Sequence, residues 1–187
     1  MHNLKPVTAL GGAIPRVDTF DHITITENDG RALVSVTARM GQEKACHRAL
    51  KNLLGDVPQA GKAVLRTPEA AFWMGPDQWI IDAPRETHEL LADQMRTIFA
   101  AAASVTEQTG AWVCFDVTGH AMAEMSERLC AVAIRRMQAG DAQRTVIHHL
   151  GCFVIRQQAD DHIRIFGPRA SAASLHHALL DAAHSTA

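Results

Sequence analysis

Residues 71–82 (AFWMGPDQWIID) place two short, strongly apolar arms on either side of a tight-turn signal. Aromatic and β-branched residues, which favour β-strands, dominate both arms, 72–74 and 79–81. Between the arms, proline presets φ to about −65° and Asp77 can hydrogen-bond to the backbone that follows it. The sequence therefore predicts a β-hairpin. No chemistry is obvious in it, which indicates a protein that works by packing or docking.

A second hairpin and a helix are predicted ahead of this one. Residues 22–26 alternate between polar and apolar side chains, Asn-Asp-Gly at 28–30 is a strong turn signal, and 32–36 read as a second strand. Residues 41–54 then carry apolar side chains at helical spacing. Gly55 is a typical helix stop, so this segment predicts an amphipathic helix.

Proline and threonine residues indicate where the next helices begin. Pro84 suits the first turn of a helix, because its missing N–H would be unpaired there in any case. Asp82 would then place a favourable negative charge at the helix N-terminus. Residues 111–117 are almost continuously apolar and predict a buried strand, and Thr118 suits the N-cap of a helix after it.

A further hairpin and a last helix complete the pattern. Strands at 152–155 and 163–166 flank a polar turn, and Pro168 opens a helix with apolar residues at helical spacing. The order strand, turn, strand, proline, amphipathic helix thus occurs twice, over 72–95 and over 153–179. This weak internal repeat predicts two lobes of similar build.

The expected fold class is α+β, with two small lobes of antiparallel sheet covered by helices. We place an N-terminal arm at residues 1–20, a first lobe at 21–107 and a second lobe at 108–187, and expect the lobes to pack as one compact unit. A chain of 187 residues buries about two-thirds of its unfolded surface, so it needs neither disulfides nor metal ions for stability.

Composition excludes several classes of protein. The net charge of −2 and the lack of a basic run argue against nucleic-acid binding. No run reaches the roughly 18 apolar residues of a membrane span, and residues 1–6 lack the apolar core of a signal peptide. The four cysteines, Cys46, Cys114, Cys130 and Cys152, occur singly in apolar surroundings, as reduced and inert cysteines do. We therefore expect a cytoplasmic protein that contacts neither membrane nor nucleic acid.

Histidine is the residue type that stands out, with eleven in the chain. The adjacent pairs 148–149 and 176–177 would point to opposite sides of a strand or about 100° apart on a helix. Neither geometry gathers two ligands of one metal ion, and His88, His120 and His162 have no partner at a ligand spacing. We expect exposed or hydrogen-bonded histidines rather than a metal site.

Three charged residues are candidates for a functional role, each with a structural alternative. Asp77 would act as a general base only beside an acid or polarising group, and none is apparent, so turn bonding is favoured. Asp116 lies near the end of strand 111–117, where functional groups are common, but also two residues ahead of the expected helix cap. Arg169 opposes the dipole of the helix expected there, which indicates either an external carboxylate partner or an exposed turn.

Tryptophan offers candidates for partner contact. Trp73, Trp79 and Trp112 are of a type enriched among interface anchors, although large aromatics are as typical of cores. No G-x-G-x-x-G, P-loop or G-x-S-x-G motif is present. The sequence therefore predicts no flavin or nicotinamide site in this chain, and no catalytic, cofactor-binding or metal-binding residue is assigned.

Three stretches together resemble the gamma subunit of heterotetrameric sarcosine oxidase, a family related to the folate-binding aminomethyltransferase (T-protein) of the glycine cleavage system. They are the hairpin 72–81, the Asp-Val-Thr-Gly-His segment 116–120 and the Pro-Arg pair 168–169. The likeness extends from about residue 21 to residue 183, and its most specific element is the Gly-Pro-Asp-x-Trp turn. The residues that carry the resemblance or are candidates for partner contact are Trp73, Gly75, Pro76, Asp77, Trp79, Trp112, Asp116 and Arg169.

The resemblance implies an accessory subunit with no cofactor of its own. The alpha subunit would provide folate and dinucleotide sites, and the beta subunit would demethylate sarcosine with FAD. The whole assembly, which also has a delta subunit, is expected to use FAD, FMN, NAD and tetrahydrofolate. This chain would hold the alpha and beta subunits in register while sarcosine is oxidised to glycine.

One departure from the aminomethyltransferases bears on catalysis. Their Gly-Gly-x-x-Asp-Asp segment supplies an acid for folate chemistry, whereas the corresponding residues 144–154 read RTVIHHLGCFV. No catalytic acid therefore carries over. Two alternatives stay open. One is a free-standing folate-binding, aminomethyltransferase-like enzyme with an acid near Asp116 and a basic residue such as Arg169 for the glutamate tail. The other is an interaction module without the oxidase partners.

Overall fold

Two antiparallel sheets with helices on one face of each organise the protein. The computed structural model describes residues 5–186, which divide into two compact units. The terminal unit comprises the residues up to Asp29 together with Ala111–Gln138 and the chain from Arg144 onward. The central unit comprises Gly30–Gly110 and Ala139–Gln143. The predicted α+β class is confirmed.

The described residues contain eleven strands and four α-helices. In the first half of the chain they are β1 (Val17–Phe20), β2 (Ile23–Glu27), β3 (Arg31–Ala38), α1 (Glu43–Leu54), β4 (Ala63–Val64), β5 (Ala70–Gly75), β6 (Gln78–Pro84) and α2 (Leu91–Phe99). In the second half they are β7 (Ala103–Glu107), β8 (Trp112–Thr118), α3 (Met122–Leu129), β9 (Ala142–Ile147), β10 (Leu150–Arg156), β11 (His162–Pro168) and α4 (Ala172–His184).

The terminal sheet has the strand order β1-β2-β8-β11-β10-β9. Along β8, Val113, Phe115 and Val117 are buried in one hydrophobic cluster with residues of α3 and α4. Side chains alternate between the faces of a strand, so Cys114 and Asp116 lie on the face away from that cluster. The local alternation of β8 thus sets the position of Asp116.

Helix α4 approaches β11 closely at Gly167. A Cβ atom on this residue would lie 2.4 Å from Cδ2 of Leu175 and 3.3 Å from Sγ of Cys152. Contacts below 3.0 Å are essentially absent from real Cβ atoms. Glycine at this position therefore allows the buried leucine of α4 to pack directly on the strand.

The central sheet has the strand order β4-β5-β6-β3-β7. Helix α1 buries Cys46, Leu50 and Leu54, which are spaced four residues apart and share one face. Gly55 ends the helix with a φ of 85°, and its N–H donates to the carbonyl of Lys51. The helix predicted over 41–54 and its glycine stop are both confirmed.

The hairpins predicted at 72–81 and 152–166 are confirmed as β5–β6 and β10–β11. In the first, Trp73 lies opposite Trp79, and an irregularity in the register separates Trp73 from Gly75. Each hairpin ends at a proline and is followed by a helix, α2 or α4. The weak repeat in the sequence therefore corresponds to a repeat in the structure.

The hairpin predicted from 22–36 is wrong. Strand β2 pairs with β1 and β8 in the terminal sheet, whereas β3 pairs with β6 and β7 in the central sheet. Asn28 explains the difference, because its N–H donates to the carbonyl of Cys114 and its side chain donates to Asp116. Its turn signal marks the passage of the chain from one unit to the other.

The helix start predicted at Pro84 and the cap predicted at Thr118 are also wrong, whereas Pro168 is followed directly by a 3₁₀ turn, Arg169–Ser171, that leads into α4. Pro84 and Pro168 are the last residues of β6 and β11, and α2 and α4 begin at Leu91 and Ala172. Strand pairing reaches both prolines, as it does Thr118 at the end of β8. A proline at the end of a strand and one in the first turn of a helix leave the same local sequence signal.

The units also differ from the division drawn on the sequence at 107/108. Residues 21–29, assigned there to the first lobe, belong to the terminal unit, and residues 17–20 of the expected arm form β1. The reason is the pairing of β2 with β8, which joins two segments that are far apart in the sequence.

Candidate functional site

A polar cluster surrounds Asp116 on the terminal sheet. Its Oδ1 lies 2.9 Å from Nε2 of His162 and accepts a hydrogen bond of 2.8 Å from Nε of Arg164. Its Oδ2 accepts hydrogen bonds from Nη2 of Arg164 at 3.1 Å and from Nδ2 of Asn28 at 2.6 Å. Arg164 is brought there by the register of β11 on β8, which places it directly opposite Asp116.

The cluster keeps Asp116 ionised. Burial alone would raise the pKa of this carboxyl, but hydrogen bonds from His162 and Arg164, the charge of Arg164 and the hydrogen bond from Asn28 together outweigh it. The pKa of Asp116 is therefore held well below its usual range. A carboxylate with so low a pKa is a weak general base, so the arrangement favours a structural role.

The Gly-Pro-Asp turn lies in the central unit and is attached to helix α1. Asp77 has a φ of 53°, and its carbonyl accepts a hydrogen bond from the N–H of Ala38 at 3.0 Å. Its carboxylate lies 3.1 Å from Nε2 of His47. The ring of His47 also contacts Trp79 edge-on, with 5.3 Å between ring centroids. The turn is thus held by β3 and α1, with Gly75 and Pro76 preceding Asp77.

The three tryptophans differ in exposure. Trp79 is 2% exposed and its Nε1 donates to the carbonyl of Pro58 at 2.9 Å, so it belongs to the core of the central unit. Trp73 is partly exposed and packs against that core. Trp112 is also partly exposed and faces Phe153, with 5.7 Å between ring centroids. Among the described residues, the buried Nε1 of Trp112 has no hydrogen-bond partner. Trp73 and Trp112 therefore stay candidates for partner contact.

Arg169 contacts a backbone group of its own unit. Its Nη2 donates to the carbonyl of Val7 at 3.2 Å. The residue begins a short 3₁₀ turn, Arg169–Ser171, that leads directly from β11 into α4. The side chain thus fixes the N-terminal segment, a role that the sequence did not indicate.

Asp82 does not have the helix-terminal position expected for it. It lies within β6, is 4% exposed, and its Oδ1 accepts a hydrogen bond of 2.6 Å from Nε of Arg31 on the neighbouring β3. The expectation failed because helix α2 begins nine residues later, at Leu91. The carboxylate and the guanidinium compensate each other's charge across two paired strands.

Two partly buried histidines of the terminal unit are paired with carboxylates, and the exposed His177 lies 3.4 Å from Asp181. His162 belongs to the Asp116 cluster, and Nε2 of His176 lies 2.7 Å from Oδ2 of Asp18. The adjacent pair His148 and His149 occupies the turn between β9 and β10, where both have a positive φ. Within residues 5–186, no three His, Cys, Asp or Glu side chains are grouped so that they could hold a metal ion.

The cysteines are free thiols in the described structure. Cys46, Cys114 and Cys152 are buried, and Cys130 is partly exposed. Burial raises the pKa of Cys46 and of Cys152 to about 11. Thiols with so high a pKa are almost fully protonated near neutral pH and are poor nucleophiles.

Sequence reasoning missed the partners of both aspartates, His47 for Asp77 and Arg164 and Asn28 for Asp116. One signal could have found Arg164. If strand 111–117 is paired antiparallel with strand 163–166 so that apolar residues share a face, Arg164 falls on the face of Asp116. The contacts of Asn28 and His47 depend on how distant elements pack, which no local pattern encodes.

No helix in the described part of the chain is both long enough and apolar enough to cross a membrane.

Comparison with known proteins identifies the fold. No protein-family model and no curated protein matches the sequence. A chain of the heterotetrameric sarcosine oxidase from Corynebacterium sp. U-96 is similar in structure, with a TM-score of 0.78 and 20% identity over 91% of this chain and 88% of that one. The glycine cleavage system aminomethyltransferase T from Bartonella henselae is similar with a TM-score of 0.63 and 13% identity over 85% of this chain.

The second match covers 45% of the aminomethyltransferase, so the chain spans less than half the length of that protein. Both similarities are at low sequence identity and show a common fold. The predicted aminomethyltransferase-like α+β fold is confirmed.

Proposed function

We propose that this chain is the accessory (gamma) subunit of a tetrahydrofolate-linked heterotetrameric sarcosine oxidase. The observation that carries the proposal is the similarity to a chain of such a heterotetramer, with a TM-score of 0.78. Because the match covers 91% of this chain and 88% of that one, the two chains are also nearly equal in length. Similar size and fold support an equivalent place in an assembly.

In this proposal the chemistry belongs to the partner subunits. The cytoplasmic assembly oxidises sarcosine with O₂ to glycine, hydrogen peroxide and a one-carbon unit. This unit passes to tetrahydrofolate or, with the uptake of one water molecule, leaves as formaldehyde. FAD, FMN, NAD and tetrahydrofolate are held by other subunits. This chain contacts the alpha and beta subunits and keeps them in register, in an assembly that also has a delta subunit.

The state of Asp116 supports a non-catalytic role for this chain. Both of its oxygens are engaged by neighbouring side chains, and its pKa is lowered by them. A general base must be able to take a proton at the working pH, and a strongly stabilised carboxylate does this poorly. The segment 142–156, which forms β9 and β10, contains no acidic residue that could replace it.

The alternative is a free-standing folate-binding protein related to the aminomethyltransferases, and the structural match to such an enzyme favours it. Two observations count against it. The chain corresponds to less than half of that enzyme. In addition, Arg169, the expected contact for the glutamate tail of folate, is engaged with the carbonyl of Val7.

Co-expression tests the proposal directly. The chain, carrying an affinity tag, is produced together with its candidate alpha, beta and delta subunits, and the purified material is assayed for sarcosine-dependent hydrogen peroxide. We expect the four chains to co-purify in equal amounts with activity, and omission of this chain to reduce the yield of the assembly. Purification of the tagged chain alone, with full activity in the remaining subunits, would contradict the proposal.

A folate-binding measurement on the isolated chain distinguishes the free-standing folate protein from the accessory subunit. A free-standing folate protein should bind tetrahydrofolate in calorimetry, and Asp116→Ala should abolish that binding. Asp141→Ala, a change in the central unit, is the matched control. An accessory subunit should show no binding in either form.

A further inference from the structure

Helix α1 of the central unit presents a row of positive charges to solvent. Lys44, Arg48 and Lys51, here called the cationic row, are exposed and follow one another at spacings of four and three residues. They therefore lie along one face of the helix. The one carboxylate of α1, that of Glu43, accepts a hydrogen bond of 2.9 Å from the N–H of Gly41. In a chain of net charge −2, this surface is locally positive.

The cationic row is not compensated within the described residues. The ion pairs there include none of its three side chains, whereas Arg96 on the neighbouring α2 pairs with Asp93 of the same helix. Like charges three or four residues apart on a helix repel one another and destabilise it slightly. Acidic side chains of another molecule would relieve that repulsion, so the row is complementary to an acidic partner.

A groove of about 460 Å³ lies between α1 and α2, within the central unit. Four apolar side chains, one amide and one guanidinium line it: Ala45, Ala49, Leu53, Ile98, Asn52 and Arg48. The three apolar residues of α1 recur every four residues and are partly exposed, and the isoleucine of α2 is 44% exposed. Among the described residues that line the groove there is no carboxylate. The groove is therefore apolar, with the cationic row along one side.

The form of the groove favours a helical occupant. Its walls are side chains of two helices, whose backbone groups are engaged within the helices, so an extended chain finds no strand edge to pair with. The apolar stripe from Ala45 to Leu53 is about 12 Å long, at a rise of about 1.5 Å per residue. About two turns of an amphipathic helix match that length, and such a helix satisfies its own backbone hydrogen bonds.

We propose that this groove is the docking site for an amphipathic helix of a partner subunit, with aspartate or glutamate beside its apolar stripe. The apolar stripe packs between Ala49 and Ile98, and the carboxylates pair with Arg48 and its neighbours in the cationic row. The groove accounts for the helical and apolar character of the occupant, and the uncompensated row accounts for its acidic residues. The inference rests on the proposed function, which supplies the partner.

Charge reversal in the cationic row tests the proposal. Arg48→Glu alters the groove, and Arg136→Glu is the matched control, because Arg136 is also exposed, lies in the terminal unit and belongs to no ion pair of the described residues. Since both side chains face solvent, both isolated variants should keep the circular dichroism and unfolding midpoint of the unmodified chain. With co-expressed alpha and beta subunits, we expect Arg48→Glu to retain about tenfold less partner and Arg136→Glu to match the unmodified chain.

The salt dependence of association gives a second readout. Partner retained by the unmodified chain should decrease as the NaCl concentration rises, and the double variant Lys44→Gln/Lys51→Gln should show a weaker dependence on salt. An equal dependence on salt in the two proteins would show that the cationic row does not contact the partner.

The outcomes separate this docking site from the function on which it rests. If the unmodified chain fails to associate, the proposed function is wrong and the groove has no such partner. If the unmodified chain and Arg48→Glu associate equally, or if Arg136→Glu loses the partner to the same degree, only the docking site is wrong.

A cross-linking experiment identifies the occupant independently. A photoreactive phenylalanine derivative at position 52, which is exposed and lines the groove, should form a covalent link to the alpha or beta subunit in the purified assembly. Mass spectrometry should place the link in a segment with apolar residues at helical spacing and acidic residues beside them. A link to a second copy of this chain, or to a segment without acidic residues, would overturn the proposal.

Discussion

The carboxylate of Asp77 lies 3.1 Å from Nε2 of His47, and this contact joins the Gly-Pro-Asp turn to helix α1. Asp77 also has a φ of 53°, in the left-handed region that aspartate tolerates better than most residues. The side chain at this position therefore has two requirements to meet. The residue must tolerate a left-handed backbone conformation, and its side chain must reach His47 on α1.

Substitutions at Asp77 should separate these two requirements. Asp77→Ala loses the contact and strains the backbone, so we expect it to lower the free energy of unfolding by about 1–2 kcal/mol. Asp77→Asn tolerates the same backbone and should stay within about 0.5 kcal/mol of the unmodified chain. Urea unfolding followed by tryptophan fluorescence measures the difference. Equal losses of unfolding free energy in the two variants would show that the charge of Asp77, and not its backbone conformation, accounts for its contribution to stability.

A double-mutant cycle with His47→Ala should give a coupling free energy below about 1 kcal/mol. Both side chains are nearly half exposed, at 45% and 46%, so water and salt screen their attraction. A larger coupling free energy would indicate that Asp77 stabilises the fold mainly through its contact with His47, and not through the backbone conformation of the turn.

Asp116→Asn should make the stability of the protein less dependent on pH in acid. The folded-state pKa of Asp116 lies below its unfolded value, so its contribution to stability is fully present above the unfolded pKa, about 3.9. That contribution decreases as the pH falls toward the folded pKa. At pH 7 we expect the free energy of unfolding of the variant to be about 2 kcal/mol lower than that of the unmodified chain, because Arg164 loses its charge partner.

The measurement is the free energy of unfolding of both proteins between pH 7 and pH 3. The difference in free energy of unfolding should narrow below about pH 4. At that pH the unmodified chain loses the stabilisation by ionised Asp116, which the variant lacks at every pH. A gap that stays constant down to pH 3 would show that Asp116 has no lowered pKa in the folded protein.

Gly119→Ala should be strongly destabilising. Gly119 has a φ of 121°, and a Cβ atom on it would lie 2.2 Å from the carbonyl oxygen of His22. We expect a loss of about 3 kcal/mol or more, since neither the backbone conformation nor the space admits a methyl group. Gly151→Ala is the matched control, because nothing lies within 4 Å of its Cβ position, and it should change stability by less than about 0.5 kcal/mol. Similar melting temperatures for the two variants would contradict this interpretation.

One cysteine should react with a thiol reagent in the folded protein. Cys130 is partly exposed, whereas Cys46, Cys114 and Cys152 are buried. With a pKa of about 11, Cys46 and Cys152 present very little thiolate at pH 8. We expect one rapidly reacting thiol with a disulfide reagent at pH 8 and four in urea, and Cys130→Ser should remove the rapid reaction. More than one rapid thiol would indicate local opening of the fold.

The hairpin at 72–81 could be predicted because everything that specifies it is local. The turn residues stand between two β-forming arms, and the strands that pair are neighbours in the sequence. The partner of β2 could not be predicted in this way. The alternation of Ile23 and Ile25 is equally compatible with pairing to the next strand, and the pairing that occurs is with β8.

The candidate site shows the same limit. Asp116 was singled out from its position in a strand, but its partners Asn28, His162 and Arg164 lie 88, 46 and 48 residues away in the sequence. Similarly, no local pattern in residues 7–17 indicates that the buried carboxylate of Glu27 accepts hydrogen bonds from the N–H groups of Leu10 and Arg16.

The pairing of β2 with β8 has a consequence for biosynthesis. Strands β1 and β2 leave the ribosome long before their neighbour β8 is made, and a two-stranded hairpin alone is at best marginally stable. Strands β3 to β7 and helices α1 and α2 are synthesised in the meantime and can begin to form the central sheet. Strands β1 and β2 are therefore translated before the central sheet but gain a stable place after it.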